Sequence, residues 1–304
     1  MRIPHPTTQA LLLLIALLFM LSAPVSAEQH ELTFDRKRPV GSTFKIILQG
    51  EQTNRQAQTV DGKQAGRESN TIKGKLEGVA EVLEVHENKK TKSAAIKLSL
   101  FEGSRNNVAF ELDLTKRVIA TAEGGGMTLA YEDGAELSEK AAELLDVLLG
   151  FMIEEAPSDI AEDEMFKLRQ PREAGSSWAC DSELIAKDMS HSGALKIDPD
   201  KVDGTFKFIE VGELNGQKAA KIDINIKLNA IGIPAMADQG IKMISSGGEL
   251  SMAGHLPLDP KSFDGTSTMR MSMSFVAGLN ANGSEIRITN EVKASVQATY
   301  LQIK

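Results

Sequence analysis

The segment KAAKIDINIKL at residues 218–228 decides the fold. Ala220, Ile222, Ile224, Ile226 and Leu228 alternate with Lys221, Asp223, Asn225 and Lys227. A period of two puts the apolar set on one face of an extended strand and the polar set on the other. One dry face and one wet face favour an antiparallel sheet, because a parallel strand covered by helices on both sides is apolar throughout. The same alternation recurs along the chain. Phe44, Ile46 and Leu48 share a face, as do Ala94, Ile96, Leu98 and Leu100. Met269, Met271, Met273 and Phe275 share another, with Arg270, Ser272 and Ser274 opposite. Near the end, Ile286 and Ile288 are followed, past Asn290, by Val292, Ala294, Val296, Ala298 and Tyr300. Asp61-Gly62, Asn215-Gly216, Asp264-Gly265 and Asn282-Gly283 separate alternating stretches and accept the positive φ of tight hairpins. Long strands must twist, so a curved sheet is expected.

Only the middle of the chain departs from this period. Leu137, Ala141, Leu144, Leu145, Leu148 and Met152 recur at helical spacing, with Asp133 and Glu136 as candidate caps. A second, weaker helix is expected over residues 158–168, with contacts from Ile160, Met165 and Leu168, before Pro171 and Gly175 break the pattern. The predicted architecture is mainly β: two related, curved antiparallel halves at 28–133 and 171–304, joined by a helical connector at 134–170. The halves open alike, on Gly41-Ser42-Thr43-Phe44 and Gly175-Ser176-Ser177-Trp178. VHENKKTKSAAIKL at 85–98 and VGELNGQKAAKIDI at 211–224 share a valine, a Glu-containing turn and a Lys-small-Ala start, and VAFEL at 108–112 has a counterpart in GELSM at 248–252. An internal duplication is expected from these matches, with shared β chemistry alone as the alternative source.

The N-terminus reads as an export signal. Arg2 precedes the apolar run LLLLIALLFML at 11–21, followed by Pro24 and the small-residue site Val25-Ser26-Ala27. The run is short of the ~20 residues a spanning helix needs, so residues 1–27 are expected to be cleaved, releasing the remainder to the periplasm or the exterior. No second long apolar run follows, and the mature protein is not expected in the membrane. The chain has 304 residues with net charge −8, 41% hydrophobic and 25% charged. That composition builds a core and offers no general attraction to nucleic acid. One cysteine rules out an internal disulfide. Two tyrosines and one tryptophan supply no aromatic girdle for an outer-membrane barrel.

The signal, the Gly-x-x-Phe first strand at Gly41 to Phe44, the hairpins and the repeated alternating strands together resemble an uncharacterised family of exported bacterial β-rich proteins. The resemblance implies a secreted β protein and brings no catalytic residues onto this chain.

Residue by residue, catalytic chemistry finds little support. Cys180, in WACDSEL, is expected in a strand as a buried thiol, with His191 as its candidate partner. Ser176 and Ser177 lack the Gly-x-Ser-x-Gly elbow. The acidic stretch Glu154, Glu155, Asp159, Glu162, Asp163 and Glu164 lacks the glycine and terminal glutamate of a calcium loop. Gly124-Gly125-Gly126 lacks a phosphate-binding fingerprint, and the Lys89-Lys90-Thr91-Lys92 run reads as a charged hairpin. Met269, Met271 and Met273 suit core packing better than soft-metal coordination. No catalytic residue, cofactor or metal site is assigned. The expected function is noncatalytic binding or envelope support, with a hydrophobic small molecule or an envelope protein as partner. Candidate pocket or core residues are Ile222, Ile224, Ile226, Met269, Met271, Met273 and Phe275. A secreted hydrolase assembled from distant loops is the alternative.

Overall fold

The computed structural model describes residues 28–303 apart from 35, 37, 89, 124–125, 151, 154–158 and 282. The expected export signal, Lys89, Gly124, Gly125, Glu154, Glu155 and Asn282 therefore lie outside the described residues.

A short strand β1, Gln29–His30, opens the described chain. Four long or medium strands follow as a meander: β2, Thr43–Val60; β3, Lys63–Val85; β4, Thr91–Arg105; and, after the three-residue β5, Val108–Phe110, strand β6, Arg117–Glu123. Strand β7, Gly126–Tyr131, ends the first half. Helix α1, Glu139–Leu149, and the single turn α2, Glu162–Met165, make the connector. The second half begins with the short strands β8, Arg172–Glu173, and β9, Ser177–Ala179, and helix α3, Ser182–Met189. Strands β10, Val202–Leu214, and β11, Gln217–Leu228, form a hairpin. A five-residue helix α4, Pro234–Asp238, leads into β12, Lys242–Pro257, β13, Gly265–Ala281, and β14, Ser284–Gln302.

Both halves belong to one curved, open antiparallel sheet of twelve strands. Its order is β7-β6-β4-β3-β2-β14-β13-β12-β11-β10-β9, with β5 on β4, so β7 and β9 are separate edges. The halves join where β14 pairs with β2, in register from Ile286↔Val60 to Gln302↔Phe44. Strands β1 and β8 form a separate ribbon, which ties the first described residues to the second half. The two openings have the same geometry. Gly41 has φ +83 and donates its N–H to the Val82 carbonyl at 2.8 Å, while Val82 N–H donates to Ser42 O at 3.0 Å. Gly175 has φ +85, and its N–H donates to Phe208 O at 2.7 Å while Phe208 N–H donates to Ser176 O at 2.9 Å.

The turns follow local chemistry, with corrections. Asp61-Gly62 (φ +50, +77) and Asn215-Gly216 (φ +51, +77) make the expected hairpins. Asp264-Gly265 does not. Asp264 is buried at the end of the loop after β12, where its Oδ1 accepts the Gln302 N–H at 2.6 Å. An unexpected tight turn forms at Asn106-Asn107 (φ +52, +66), since asparagine tolerates the left-handed region. The cap of α1 is Ser138, whose hydroxyl accepts from Ala141 N–H, and not Asp133, which instead accepts the Ala135 N–H and pairs with Lys116. The expected second helix is shorter than its pattern, because Lys167 turns to φ +53 and ends it.

Two packing centres cover the sheet. In the first, α1 lays Ala141, Leu144, Leu145, Leu148 and Leu149 onto β2, β3 and β4. The sheet meets it with a row of three paired glycines, Gly50, Gly74 and Gly103. A Cβ on Gly50 would fall 2.8 Å from Leu148 Cδ2, and one on Gly74 2.5 Å from Leu144 Cδ2. The row is a hollow that seats the leucines. In the second centre the fill is aromatic. Trp178 stacks on Phe206 at 4.7 Å and donates its indole N–H to Phe166 O at 2.7 Å, while Phe34 packs against Phe166 and Phe206.

Candidate functional site

Between the two centres lies a cavity of ≈530 Å³, within the ~300–1,000 Å³ range of small-molecule pockets. Strand registry builds one wall. Ile224 pairs with Met252, Ile226 with Leu250, and Met252 in turn with Met269, so alternation brings these side chains to one face. Ile222 and Leu256 extend that wall. Met152 and Ile153, just past α1, and Met165 and Phe166, from α2 and its cap, complete the apolar lining. The site thus draws on both packing centres.

Its polar groups differ in how fully they are engaged. Arg36 donates to the carbonyls of Pro257, Ser262 and Asp259, and through Nε to Thr33 O at 3.2 Å. It fastens the N-terminal segment to the β12–β13 connection. Lys90 Nζ pairs with Glu162 at 3.0 Å, linking the β3–β4 turn to α2. His255 Nδ1 lies 3.1 Å from Thr266 Oγ1 on the neighbouring strand. Arg38 is placed differently. Its guanidinium carbon sits 4.9 Å from the Phe44 ring centroid and 5.0 Å from that of Tyr300, and those contacts are with π faces only. Desolvation lowers the pKa of both arginines; Asp259 and then Asp163 oppose it at Arg36, whereas only Tyr300 does so at Arg38. Both remain cations. Burial raises the Tyr300 pKa against the pull of Arg38, and the buried Tyr300 hydroxyl has no hydrogen-bond partner among the described residues.

Of the seven residues singled out from sequence, Ile222, Ile224, Ile226 and Met269 line this cavity. Met273 packs against the second centre. Met271 and Phe275 lie farther along β13, opposite Leu250 and Ala294, and opposite Ser246 and Asn290, respectively. Sequence reasoning passed over Arg36, Arg38 and the Phe44–Tyr300 ring pair. The basic run Arg36-Lys37-Arg38, directly before the first long strand, was the available signal.

The catalytic candidates have structural occupations. Cys180 lies just after β9, next to Asp181, the N-cap of α3, rather than within a strand. Burial pushes its thiol pKa up to about 11, which suppresses the thiolate. Ser176 Oγ donates to Glu173 O at 2.5 Å. In the acidic stretch, Asp163 accepts from Thr33 Oγ1 and Phe34 N–H, Glu162 pairs with Lys90, and Glu164 with Arg169. Among the described residues no group of three or more His, Cys, Asp or Glu is placed to hold a metal ion, and no helix is long and apolar enough to cross a membrane.

No protein-family model matches the chain, and no curated protein matches it. Solved structures with a partly similar course include one described as lipid–protein interactions in lipovitellin, 6% identical with a TM-score of 0.31, covering 84% of this chain and 25% of that one. The chain thus spans a quarter of the lipovitellin chain. The outer membrane protein OprG from Pseudomonas aeruginosa is 8% identical with a TM-score of 0.19, covering 87% of this chain and 99% of its own. The Pseudomonas aeruginosa MucA/MucB complex gives 8% identity and a TM-score of 0.17, covering 81% and 88%.

Proposed function

We propose that this chain is an exported, noncatalytic binding protein of the bacterial cell envelope that holds a hydrophobic molecule between its two halves. The observation that carries the reading is the ≈530 Å³ cavity, walled by isoleucines and methionines from strands and by residues next to two helices. Methionine adapts its shape to an irregular apolar guest. The matching Gly41 and Gly175 openings support an origin of the halves by duplication, with residues 28–133 and 171–304 as the related units. VSA at 25–27 supports cleavage after Ala27 and release from the inner membrane.

Two measurements test this. Protein purified from its native envelope, examined by native mass spectrometry and solvent extraction, is expected to retain an apolar compound, which Met269→Arg or Met252→Arg releases without unfolding. Repeated recovery with no guest, together with turnover of a defined ester or glycoside, would overturn the binding reading in favour of a hydrolase. N-terminal sequencing of the same material is expected to begin at Glu28. A chain that still begins at Met1 would end the cleavage reading.

A further inference from the structure

Arg38 is the unusual group in the cavity lining. Every other charged side chain there, among the described residues, is engaged. Arg36 donates to three carbonyls of the β12–β13 connection and to Thr33. Lys90 and Glu162 pair with each other, and the Asp264 carboxylate accepts the Gln302 N–H. Arg38 has two ring faces and no carboxylate or carbonyl acceptor among the described residues. A guanidinium carries five N–H donors in a planar fork, and stacking on rings satisfies none of them. The side chain is half-buried, and a carboxylate or phosphate entering the cavity matches its fork with two parallel hydrogen bonds. Tyr300, whose ring forms one side of the clamp and whose hydroxyl is unpartnered, also lines the cavity.

Building on the binding function proposed above, we infer that the cavity receives an amphiphile with a single anionic head, a carboxylate or phosphodiester, whose charge Arg38 meets while its chain lies along the Ile222–Ile226 and Met252–Met269 wall. Among the described lining residues one cation is unengaged, and it calls for one negative charge. Phe44 and Tyr300 hold the guanidinium in place, so that its donors are fixed before the guest arrives.

The test compares guests that share a chain and differ in the head. Hexadecanoate, hexadecanol and hexadecyl methyl phosphate are titrated into delipidated protein by displacement of a fluorescent apolar probe, for the unmodified chain, Arg38→Gln and Arg38→Lys. Hexadecanoate or hexadecyl methyl phosphate is expected to bind about tenfold or more tightly than hexadecanol, the scale of one charge-assisted hydrogen bond. Arg38→Gln removes that preference by weakening the anions far more than hexadecanol, whose retained binding also reports an intact pocket. Arg38→Lys keeps part of the preference, because charge remains and the fork is lost. Whichever anionic guest binds more tightly identifies the head as carboxylate or phosphodiester. Equal binding of hexadecanol and both anions would overturn the anionic head and leave hydrophobic binding standing. Failure of all three guests to displace the probe would remove both readings. If Arg38→Gln weakens hexadecanol as much as the anions, Arg38 is a structural clamp and the inference fails.

Discussion

The two halves carry the same strand chemistry and solve the problem of covering it differently. In the first, a five-residue aliphatic stripe on α1 sinks into a row of glycines on β2, β3 and β4. In the second, the helices are short, and coverage is completed by aromatic stacking and by the N-terminal segment, which crosses from the far end of the sequence to place Leu32 and Phe34 in that core. A long amphipathic helix needs a smooth, recessed floor. Short helices leave gaps, and large flat rings fill them. The cavity sits where these two modes of coverage meet.

The largest test of the contrast is removal of a keystone from each side. Phe206→Ala, at a fully buried residue, is expected to cost roughly 3–5 kcal/mol and Leu148→Ala roughly 2–5 kcal/mol in denaturant unfolding. If either change unfolds only its own half, separate transitions will appear; a single shifted transition would show that the continuous sheet couples them. Next in size is the glycine floor. Gly50→Ala is expected to cost about 1–3 kcal/mol through its clash with Leu148. Combined with Leu148→Ala it should cost less than the sum of the single changes, by roughly 0.5–3 kcal/mol. Strict additivity would show that the glycine row is not the helix seat. Arg36→Met should then loosen residues 29–34 from the second half, seen as faster amide exchange there with α1 protection retained.

The smallest effect concerns Cys180. Its folded thiol pKa, about 11, lies above the ordinary value of 9.0. Between those values the folded state holds the proton more firmly than the unfolded one. Stability should therefore be unaffected at neutral pH and fall as pH rises from about 9 towards about 11. Cys180→Ala should flatten that part of the profile. Native protein should also react slowly with a thiol reagent at neutral pH, and rapidly once denatured.

Much of this comparison was legible beforehand. Strands announce themselves because sheet alternation is a property of neighbouring residues, as in Ile222, Ile224 and Ile226, and the α1 stripe is equally local. The lesser features were hidden where two local readings competed. Asp264-Gly265 has hairpin chemistry but is taken by the Gln302 N–H, and Ser138 took the cap from Asp133. Helix α3 was hidden inside a segment read as strand, although Asp181 caps it by accepting from Leu184 N–H. The shared strand face of Ile222, Ile224 and Ile226 followed from the strand pattern. Arg38 did not, because its setting is made by rings at 44 and 300, brought together only by the β14–β2 pairing.

That pairing has a consequence for how the molecule is made. Each half is a meander of local hairpins, but the bonds between them join the first long strand to the last. Until residues 284–302 have been synthesised, β2 and β13 both present unpaired backbone along most of their length, and closing the seam carries the largest loop entropy in the sheet. A chain still lacking β14 thus carries two adhesive edges, on β2 and β13, and the seam is the contact with the longest loop to close.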